Sequence, residues 1–359
     1  MPLSESIQQA AWRRLKKNKA AVFGMAVIAL AVLVALFGYL FAPDGSPYAN
    51  RMTVEIGGKR PGYTQQFLLI NKEKKMASPG WFGRLLYGRD DRYTWLPVSG
   101  YQQKADSVIV QKFIDEGIHD RAAFALQQLP ANPIVSKTFI LGTDKYGRDM
   151  LSRLIIGTRV SLSVGLIAVI ISLSTGIVLG ALAGYFGGKT DDIIMWFINV
   201  IWSIPTLLLV FAITFLLGKG FWQVFIAIGL TMWVTVARLV RGQVLAVREL
   251  EYVEAARALG YTQGRIIFRH ILPNIAGPIL VVGASNFASA IVIEAGLSFL
   301  GVGVQPPQPS WGLMIKENYN FIITHNPMLA LAPGFAIMVL VLAFNLLGNG
   351  LRDALNVRS

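Results

Sequence analysis

The sequence contains no cysteine among its 359 residues. Disulfides, metal–thiolate sites and thiol nucleophiles are therefore excluded. Its three histidines, His119, His270 and His325, are too isolated in the sequence to indicate a metal site. No glycine-rich loop ending in Lys-Ser or Lys-Thr occurs, so the chain lacks that means of binding ATP.

Hydrophobic residues make up 54% of the sequence and the mean hydropathy is positive. No globular surface could cover that much apolar side chain, so the chain belongs in a membrane. Since backbone groups in lipid must be paired internally, the apolar stretches are expected to be helices, and no alternating segments typical of a barrel occur. The first stretch is too long for a cleaved signal peptide. An all-α polytopic membrane protein with six spanning helices is predicted, near residues 20–42, 161–185, 193–217, 222–241, 275–300 and 328–348.

The net charge of +13 indicates topology rather than a nucleic-acid surface, because Lys and Arg cluster beside particular spans. One cluster, in the N-terminal tail, attracts anionic lipid. The opposite side has only Lys219 and Lys316 in its short loops. Both termini and the loop at 238–274 are therefore predicted to be cytoplasmic. The basic residues are Arg13, Arg14, Lys16, Lys17 and Lys19 in the tail, and Arg238, Arg241, Arg248, Arg257, Arg265 and Arg269 in the loop.

Three regions follow: a basic tail with the first span at 1–42, a polar insert at 43–140, and a five-helix core with the loop at 141–359. The insert follows the first span, so it is expected on the extracytoplasmic side. Apolar residues between 105 and 129 suggest helical spacing, and residues 65–70 suggest a short strand.

The loop at 238–274 is predicted to form two helices joined by a tight turn. Residues 250–259 suit a helix, with Tyr252, Ala255, Ala256 and Leu259 on one face. Gly260 would end it in a left-handed conformation. Thr262 suits the N-cap of a second helix, which Pro273 would stop. A docking surface for another protein and a loop packed under its own bundle fit this pattern equally well.

Glu254-Ala255-Ala256, Gly260 and Leu272-Pro273 resemble the EAA loop of permease subunits of bacterial ABC importers. In that family the loop docks onto the ATP-binding subunit. His270, within the segment 269–274, is similar to the branch that imports dipeptides, oligopeptides and nickel. The segments 141–149 and 297–312 resemble signatures of the same branch. So does the tail, where Asn349, Asn356 and Val357 depart from the usual residues. The resemblance covers roughly 11–42 and 141–356.

The resemblance implies a permease of the type I importer (MetI-like) architecture in the inner membrane. It further implies a second permease subunit, two ATP-binding subunits that bind ATP and Mg, an extracytoplasmic binding protein and a peptide substrate. This chain would need no cofactor and would catalyse no reaction. Its contacts with the ATPase subunits would be Glu254, Ala255, Ala256, Gly260, Leu272 and Pro273. The insert at 43–140 is longer than expected for simple dipeptide or nickel permeases, so its length does not identify the substrate. Nickel or another small solute is the alternative to a di- or oligopeptide.

Three polar residues of the fifth span are candidates for the translocation pathway. An ionised Glu294 within a span is costly unless it faces the bundle interior or a partner, so it either meets a substrate amine or anchors the helix. Asn286 and Ser289, with Ser285 beside them, either line a path or join helices by hydrogen bonds.

Other polar and small residues of the spans suggest structural roles. Pro205 predicts a kink in the third span. Gly176, Gly180 and Gly184 recur every fourth residue, which permits close helix contact. A stretch from Asp144 to Ile155 predicts an interfacial helix outside the membrane, held by ion pairs.

Two other classes of membrane protein make different predictions from those of an ABC importer permease. An ion-coupled secondary transporter would carry several intramembrane acids or paired broken helices, whereas the sequence has one clear acid and no convincing repeat. If the protein were a purely structural membrane scaffold, deleting the loop at 238–274 would not change the assembly of any complex.

Overall fold

The computed structural model describes residues 7–73, 80–104, 106–115, 117–218, 220–323 and 326–355. Lys219, His325, Asn356 and Val357, which the sequence analysis named, lie outside these residues. The described chain forms twelve helices, with these bounds: α1 Ile7–Lys17, α2 Lys19–Phe41, α3 Trp81–Tyr87, α4 Met150–Phe186, α5 Gly188–Trp202, α6 Thr206–Leu217, α7 Phe221–Val247, α8 Glu251–Ala258, α9 Gln263–Ile266, α10 Ala276–Leu300, α11 Trp311–Asn318 and α12 Met328–Leu355.

Five of these helices, α2, α4, α7, α10 and α12, are long and apolar enough to cross a membrane. The predicted third span is instead a broken pair. Helices α5 and α6 meet at an angle of 94°, so the part of the chain that is described has five spans, or six if this pair counts as one. The kink expected at Pro205 is thus a near right-angle break, because Pro205 has no N–H to continue the helix of α5.

The insert contains a five-stranded antiparallel sheet rather than the helix expected at 105–129. Its strands run in the order β4-β3-β2-β1-β5, with bounds β1 Tyr63–Asn71, β2 Tyr93–Gln103, β3 Ser107–Asp115, β4 Ile118–Ala125 and β5 Ile134–Phe139. Val108 and Val110 are both buried. Their spacing of two residues and their branched side chains are those of a strand, which is why the helical interpretation of this segment was wrong. The strand expected at 65–70 is confirmed within β1.

Alternate residues of the sheet enter two separate cores. Leu68, Val98 and Val110 pack with Leu129 in one, while Phe67 and its aromatic neighbours form the other, with Phe67 and Trp95 meeting edge to face at 5.4 Å. Consecutive strand residues point to opposite faces, so covering both faces makes the insert an ordered domain.

By its internal contacts the chain divides into two units. One comprises 1–31, 161–305 and 337–359, and the other comprises 32–160 and 306–336. The second unit holds the sheet and a buried cluster of charges in which Arg148 contacts Asp144 and Glu317, each at 2.6 Å. Arg153 lies 3.5 Å from the same Glu317. The ion pairs expected in this stretch are therefore present, but residues 150–155 are the first turns of α4, which runs without a break to Phe186, so this stretch does not form the separate interfacial helix that was expected.

A second charged group fixes the start of the insert. Asp44 is fully buried and accepts hydrogen bonds from the backbone N–H groups of Ser46 and Arg51. Burial opposes its ionisation, but the Arg51 guanidinium and these hydrogen bonds outweigh burial and hold the pKa of Asp44 below its usual value. The carboxylate therefore stays ionised in the folded insert.

The glycines of α4 do allow close helix contact, and the contact is with α7 of the same chain. A Cβ on Gly180 would lie 2.5 Å from the carbonyl oxygen of Ala237, and one on Gly176 would lie 2.5 Å from Val236. Gly184 faces Arg241 and Val244 in the same way. Only hydrogen fits at these three positions, so the two helices can pack backbone against backbone.

We expect Gly180→Ala to lower the stability of the folded protein by about 1–3 kcal/mol, because the added methyl overlaps the α7 backbone. The matched control is Gly242→Ala in α7, where a Cβ would meet nothing within 4 Å. Thermal unfolding in detergent measures both variants. Equal midpoints for the two would contradict the close α4–α7 contact.

Candidate coupling loop and membrane cavity

The loop at 238–274 has the predicted helix-turn-helix shape. Helix α8 spans Glu251–Ala258, and Gly260 follows in the left-handed region with φ of 77°. A Cβ at Gly260 would meet nothing within 4 Å, so glycine is favoured there by backbone conformation and not by space. Thr262 occupies the N-cap position of α9, although its side chain makes no capping hydrogen bond.

The second helix of the loop changes its winding before Pro273. Helix α9 continues into a π-helical turn at Ile267–Ile271. Each hydrogen-bonded ring of a π-helix holds one residue more than that of an α-helix. The side chains that follow are therefore rotated about the helix axis. Pro273 then lies in the turn before α10, where the sequence analysis placed the end of this helix.

One face of the loop is part of the protein's own core. Val253, Ala256, Ile266 and Ile271 are buried with residues of α7, including Val240, in one apolar cluster. The predicted face is therefore corrected: Ala256 packs inward with Val253, whereas Ala255 is exposed. Periodicity alone could not separate two neighbouring alanines.

The other face of the loop is open. Of the predicted coupling residues, Glu254, Ala255, Gly260 and Pro273 are exposed and Leu272 is half-buried. Beside them Leu259 is 73% and Phe268 72% exposed. Large apolar side chains this exposed on a well-ordered loop are typical of a surface that meets another protein. One face of the loop is therefore packed against its own bundle, and the other is open to solvent in this chain.

Polar contacts join the two ends of the loop. Asn274 donates from Nδ2 to the Tyr252 hydroxyl at 2.9 Å and to the His270 carbonyl oxygen at 2.7 Å. Desolvation raises the pKa of the Tyr252 phenol, so the hydroxyl remains neutral. The His270 ring stacks on Tyr261 with centroids 5.8 Å apart. These contacts fix the loop as one body.

The last turns of α7 connect the loop to the broken span. Arg241 makes a two-pronged ion pair with Asp191 of α5, with both N–O distances 2.5 Å. Arg238 donates to Asn199 at 3.0 Å and lies 3.5 Å from the centre of the Trp202 ring. From the sequence alone, these arginines indicate only which side of the membrane the loop faces. The sequence offers no spacing that pairs them with residues about 40 to 50 positions away, and only the folded arrangement of α5 and α7 shows it.

A cavity of about 600 Å³ lies beside the break between α5 and α6. Trp202, Ile204 and Thr206 line it at the break, and α10 contributes Asn286 and Ser289. None of the described lining residues carries a charge. Irregular backbone at membrane depth is tolerated where it lines a cavity, so the broken pair and the cavity belong together. The remaining lining residues are Ile201, Leu209, Thr231, Met232, Val234, Thr235, Val282, Ser285, Ala288, Val292, Ile293, Val341 and Asn345.

The three candidate pathway residues separate in the structure. Asn286 and Ser289 line the cavity, and Asn286 also approaches Ser172 of α4 at 3.4 Å. Glu294 does not line it and is 1% exposed. It accepts a hydrogen bond of 2.5 Å from Ser298, whose Oγ in turn accepts the N–H of Val304 at 3.0 Å. This geometry favours the helix-anchor interpretation of Glu294.

No group of three or more His, Asp or Glu side chains that could hold a metal ion occurs within the ranges that the structure describes. The site therefore consists of a rigid loop with one open face, an arginine-bearing helix and an uncharged cavity. Together with the long apolar helices, they are typical of an integral membrane permease.

The chain belongs to the family of binding-protein-dependent transport system inner membrane components, whose model matches residues 176–359. A second model, the N-terminal transmembrane domain of oligopeptide transport permease C, matches residues 6–53. The chain is thus a permease subunit of an ABC importer, as the resemblance predicted, and lies in a membrane.

Two relatives show similarity over different lengths of the chain. A dipeptide transport system permease protein of Lactococcus lactis subsp. cremoris is 32% identical over 99% of this chain and 91% of its own length. A glutathione transport system permease protein of Pectobacterium atrosepticum is 43% identical over 60% of this chain and 71% of its own length. Among solved structures, an inward-facing methionine ABC transporter matches 57% of this chain and 97% of its own, with 18% identity and a TM-score of 0.48.

The Arg241–Asp191 pair can be tested by exchanging its charges. We expect Asp191→Arg or Arg241→Asp alone to lower stability and transport, because each leaves two like charges in contact. The double exchange should restore most of both. Thermal unfolding and substrate uptake of the four proteins form the measurement, and a double variant no better than the worse single one would contradict the pairing.

Proposed function

We propose that this chain is a peptide-carrying permease, working with a second permease subunit, two ATP-binding subunits and an extracytoplasmic binding protein. Its relatives include transporters named for dipeptides and oligopeptides, one of them matching nearly the whole chain. The observation that best supports a peptide substrate is the chemical composition of the cavity lining.

The cavity suits a peptide better than a metal ion. Its described lining has amide and hydroxyl groups, such as Asn286, Asn345 and Thr231, among apolar side chains. Such groups hydrogen-bond a peptide backbone without selecting one side chain. Nickel prefers imidazole and other nitrogen or oxygen ligands held in fixed geometry, and the described lining offers neither histidine nor carboxylate.

The open face of the loop is the proposed contact with an ATP-binding subunit. Glu254, Ala255 and Gly260 lie on the exposed side of a body whose other side is buried against α7. A displacement of the loop therefore moves the end of α7. Arg238 and Arg241 of that helix hold α5, whose last residue, Trp202, lines the cavity. Force from ATP binding would reach the cavity through this route.

In this mechanism the protein alternates between two states. The ATP-binding subunits close on ATP and pull the loop, and a loaded binding protein favours one of the two states by binding it better. The chain itself makes or breaks no covalent bond. The loop and both termini would face the cytoplasm, as the distribution of Lys and Arg predicts.

A charge reversal in the motif tests the docking face. We expect Glu254→Lys to abolish co-purification of the ATP-binding subunits and peptide uptake while the protein still inserts in the membrane. Glu251→Lys, with the same charge change in the same first turn of α8, is the matched control and should retain both. Equal loss in the two variants, or normal uptake with Glu254→Lys, would contradict the assignment.

Filling the cavity tests the substrate path. Ser289→Trp should reduce uptake of labelled di- and tripeptides into proteoliposomes at least tenfold, because the indole occupies space that the substrate needs, while basal ATP hydrolysis persists. Leu280→Trp changes a residue of the same helix that is 55% exposed and outside the cavity lining, so it should leave uptake unaffected.

The uptake assay also separates the classes of transporter and of substrate. Unlabelled peptides of unrelated sequence should compete with the labelled one, and nickel should not. Uptake driven by a proton gradient without ATP would overturn the proposal in favour of a secondary transporter.

A further inference from the structure

The short helix α3, Trp81–Tyr87, has three large aromatic side chains that the described chain leaves exposed. Trp81 and Tyr87 are each 70% exposed and Phe82 is 64% exposed. An aromatic residue of this size gains substantial free energy from burial, so three exposed ones on one short helix, two of them adjacent, indicate contact with a second phase or partner.

The helix is amphipathic in its arrangement. At 100° per residue, Trp81, Leu85, Phe82 and Leu86 fall within an arc of about 140°. Arg84 and Tyr87 lie outside that arc, and both are exposed. Within the arc only Leu85 is half-buried, so the apolar side of α3 is left open by the described chain.

Three contacts hold α3 beside the ends of two spanning helices. Arg159 of α4 donates from Nη1 to the Leu86 carbonyl oxygen at 2.8 Å, and its guanidinium lies 5.2 Å from the centre of the Tyr39 ring of α2. A Cβ on Gly88, directly after α3, would be 2.8 Å from the same ring. The N–H of Arg89 then bonds to the Gly45 carbonyl oxygen at 2.8 Å.

The position of Tyr39 sets the depth of α3 relative to a membrane. Helix α2 has 23 residues. At 1.5 Å per residue it is about 34 Å long, slightly more than the hydrocarbon core of about 30 Å. Tyr39 lies two residues before its end, and thus at the boundary between acyl chains and headgroups. Leu36, Leu40 and Phe41, on the same last turns, are 52%, 47% and 64% exposed and continue the apolar surface of the span to that boundary.

We propose that α3 lies in the interface of the extracytoplasmic lipid leaflet, with its apolar arc among the outer acyl segments. Trp and Tyr are the residues preferred at this depth, and a short amphipathic helix with arginine on its other side is the form such contacts take. Arg84 and Arg89 would meet the headgroup phosphates. Of the two acids that follow Arg89, Asp91 is paired with Arg51 at 2.5 Å and Asp90 is exposed, so Arg84 and Arg89 together outnumber the one acid left for them.

Lipid fits this surface better than a protein does, because α3 is held beside the exposed apolar end of α2. A spanning helix presents such a surface to lipid. The anchor would hold the sheet domain of the insert at a fixed height near the ends of α2 and α4, within the same unit of the chain. This role does not depend on which solute is transported.

The absence of cysteine allows a direct test. Phe82→Cys and the matched control Arg84→Cys, on the two sides of α3, are labelled with the same environment-sensitive fluorophore. Each is assembled with its partner subunits in lipid nanodiscs containing phosphatidylglycerol. Quenching is then measured with a lipid carrying a nitroxide near the headgroup and with aqueous iodide, with and without the binding protein.

Lipid contact predicts that the nitroxide quenches the label at Phe82 several-fold more than the label at Arg84, and that iodide shows the reverse order. The result should be unchanged when the binding protein is added. Strong iodide quenching at Phe82 would overturn the proposal in favour of a solvent-exposed helix. Protection from both quenchers would overturn it in favour of a protein partner on this face.

Discussion

The close contact between α4 and α7 is the constraint on which the functional parts of the bundle depend. Gly176, Gly180 and Gly184 present no side chain, so the backbone of α7 approaches α4 directly. In a bilayer, where apolar side chains gain nothing by leaving lipid, such backbone approach is a main source of helix association. Helix α7 is also the most buried of the spanning helices in the described chain. In the proposed mechanism this packing is what passes a displacement of the loop along α7.

The same turns of α7 contact both the loop and α5, which is why the proposed mechanism uses this helix to link the loop with the cavity. Val253 and Ala256 of the loop enter the same apolar cluster as Val240 of α7. Arg238 and Arg241, on either side of Val240, fasten α7 to α5. A buried or half-buried ion pair with two hydrogen bonds has a defined geometry, so it links the helices in one relative position better than apolar contact does. The break at Pro205 separates α5, which these contacts attach to α7, from α6.

Sequence patterns predicted the features that depend on composition or on neighbouring residues. The spans follow from long apolar runs, and the turn at Gly260 follows from a glycine placed directly after a helical segment. The family followed from motifs such as Glu254-Ala255-Ala256, and the comparisons confirm it. The strand pattern at Val108 and Val110 also depends on neighbouring residues. Over so short a segment, however, apolar residues fit both a period of two and helical spacing, and the helical prediction was wrong.

What could not be predicted depends on contacts between distant residues. The angle of 94° between α5 and α6 is set by packing, since a proline within a span is compatible with anything from a slight kink to a complete break. The partner of Arg241 is 50 residues away, and the direction of Glu294 depends on Ser298 and the turn that follows it. A charged residue in a span indicates only that a partner exists. Here a serine of the same helix donates a hydrogen bond to the acid and ties it to the end of α10, and the described lining of the cavity holds only neutral groups.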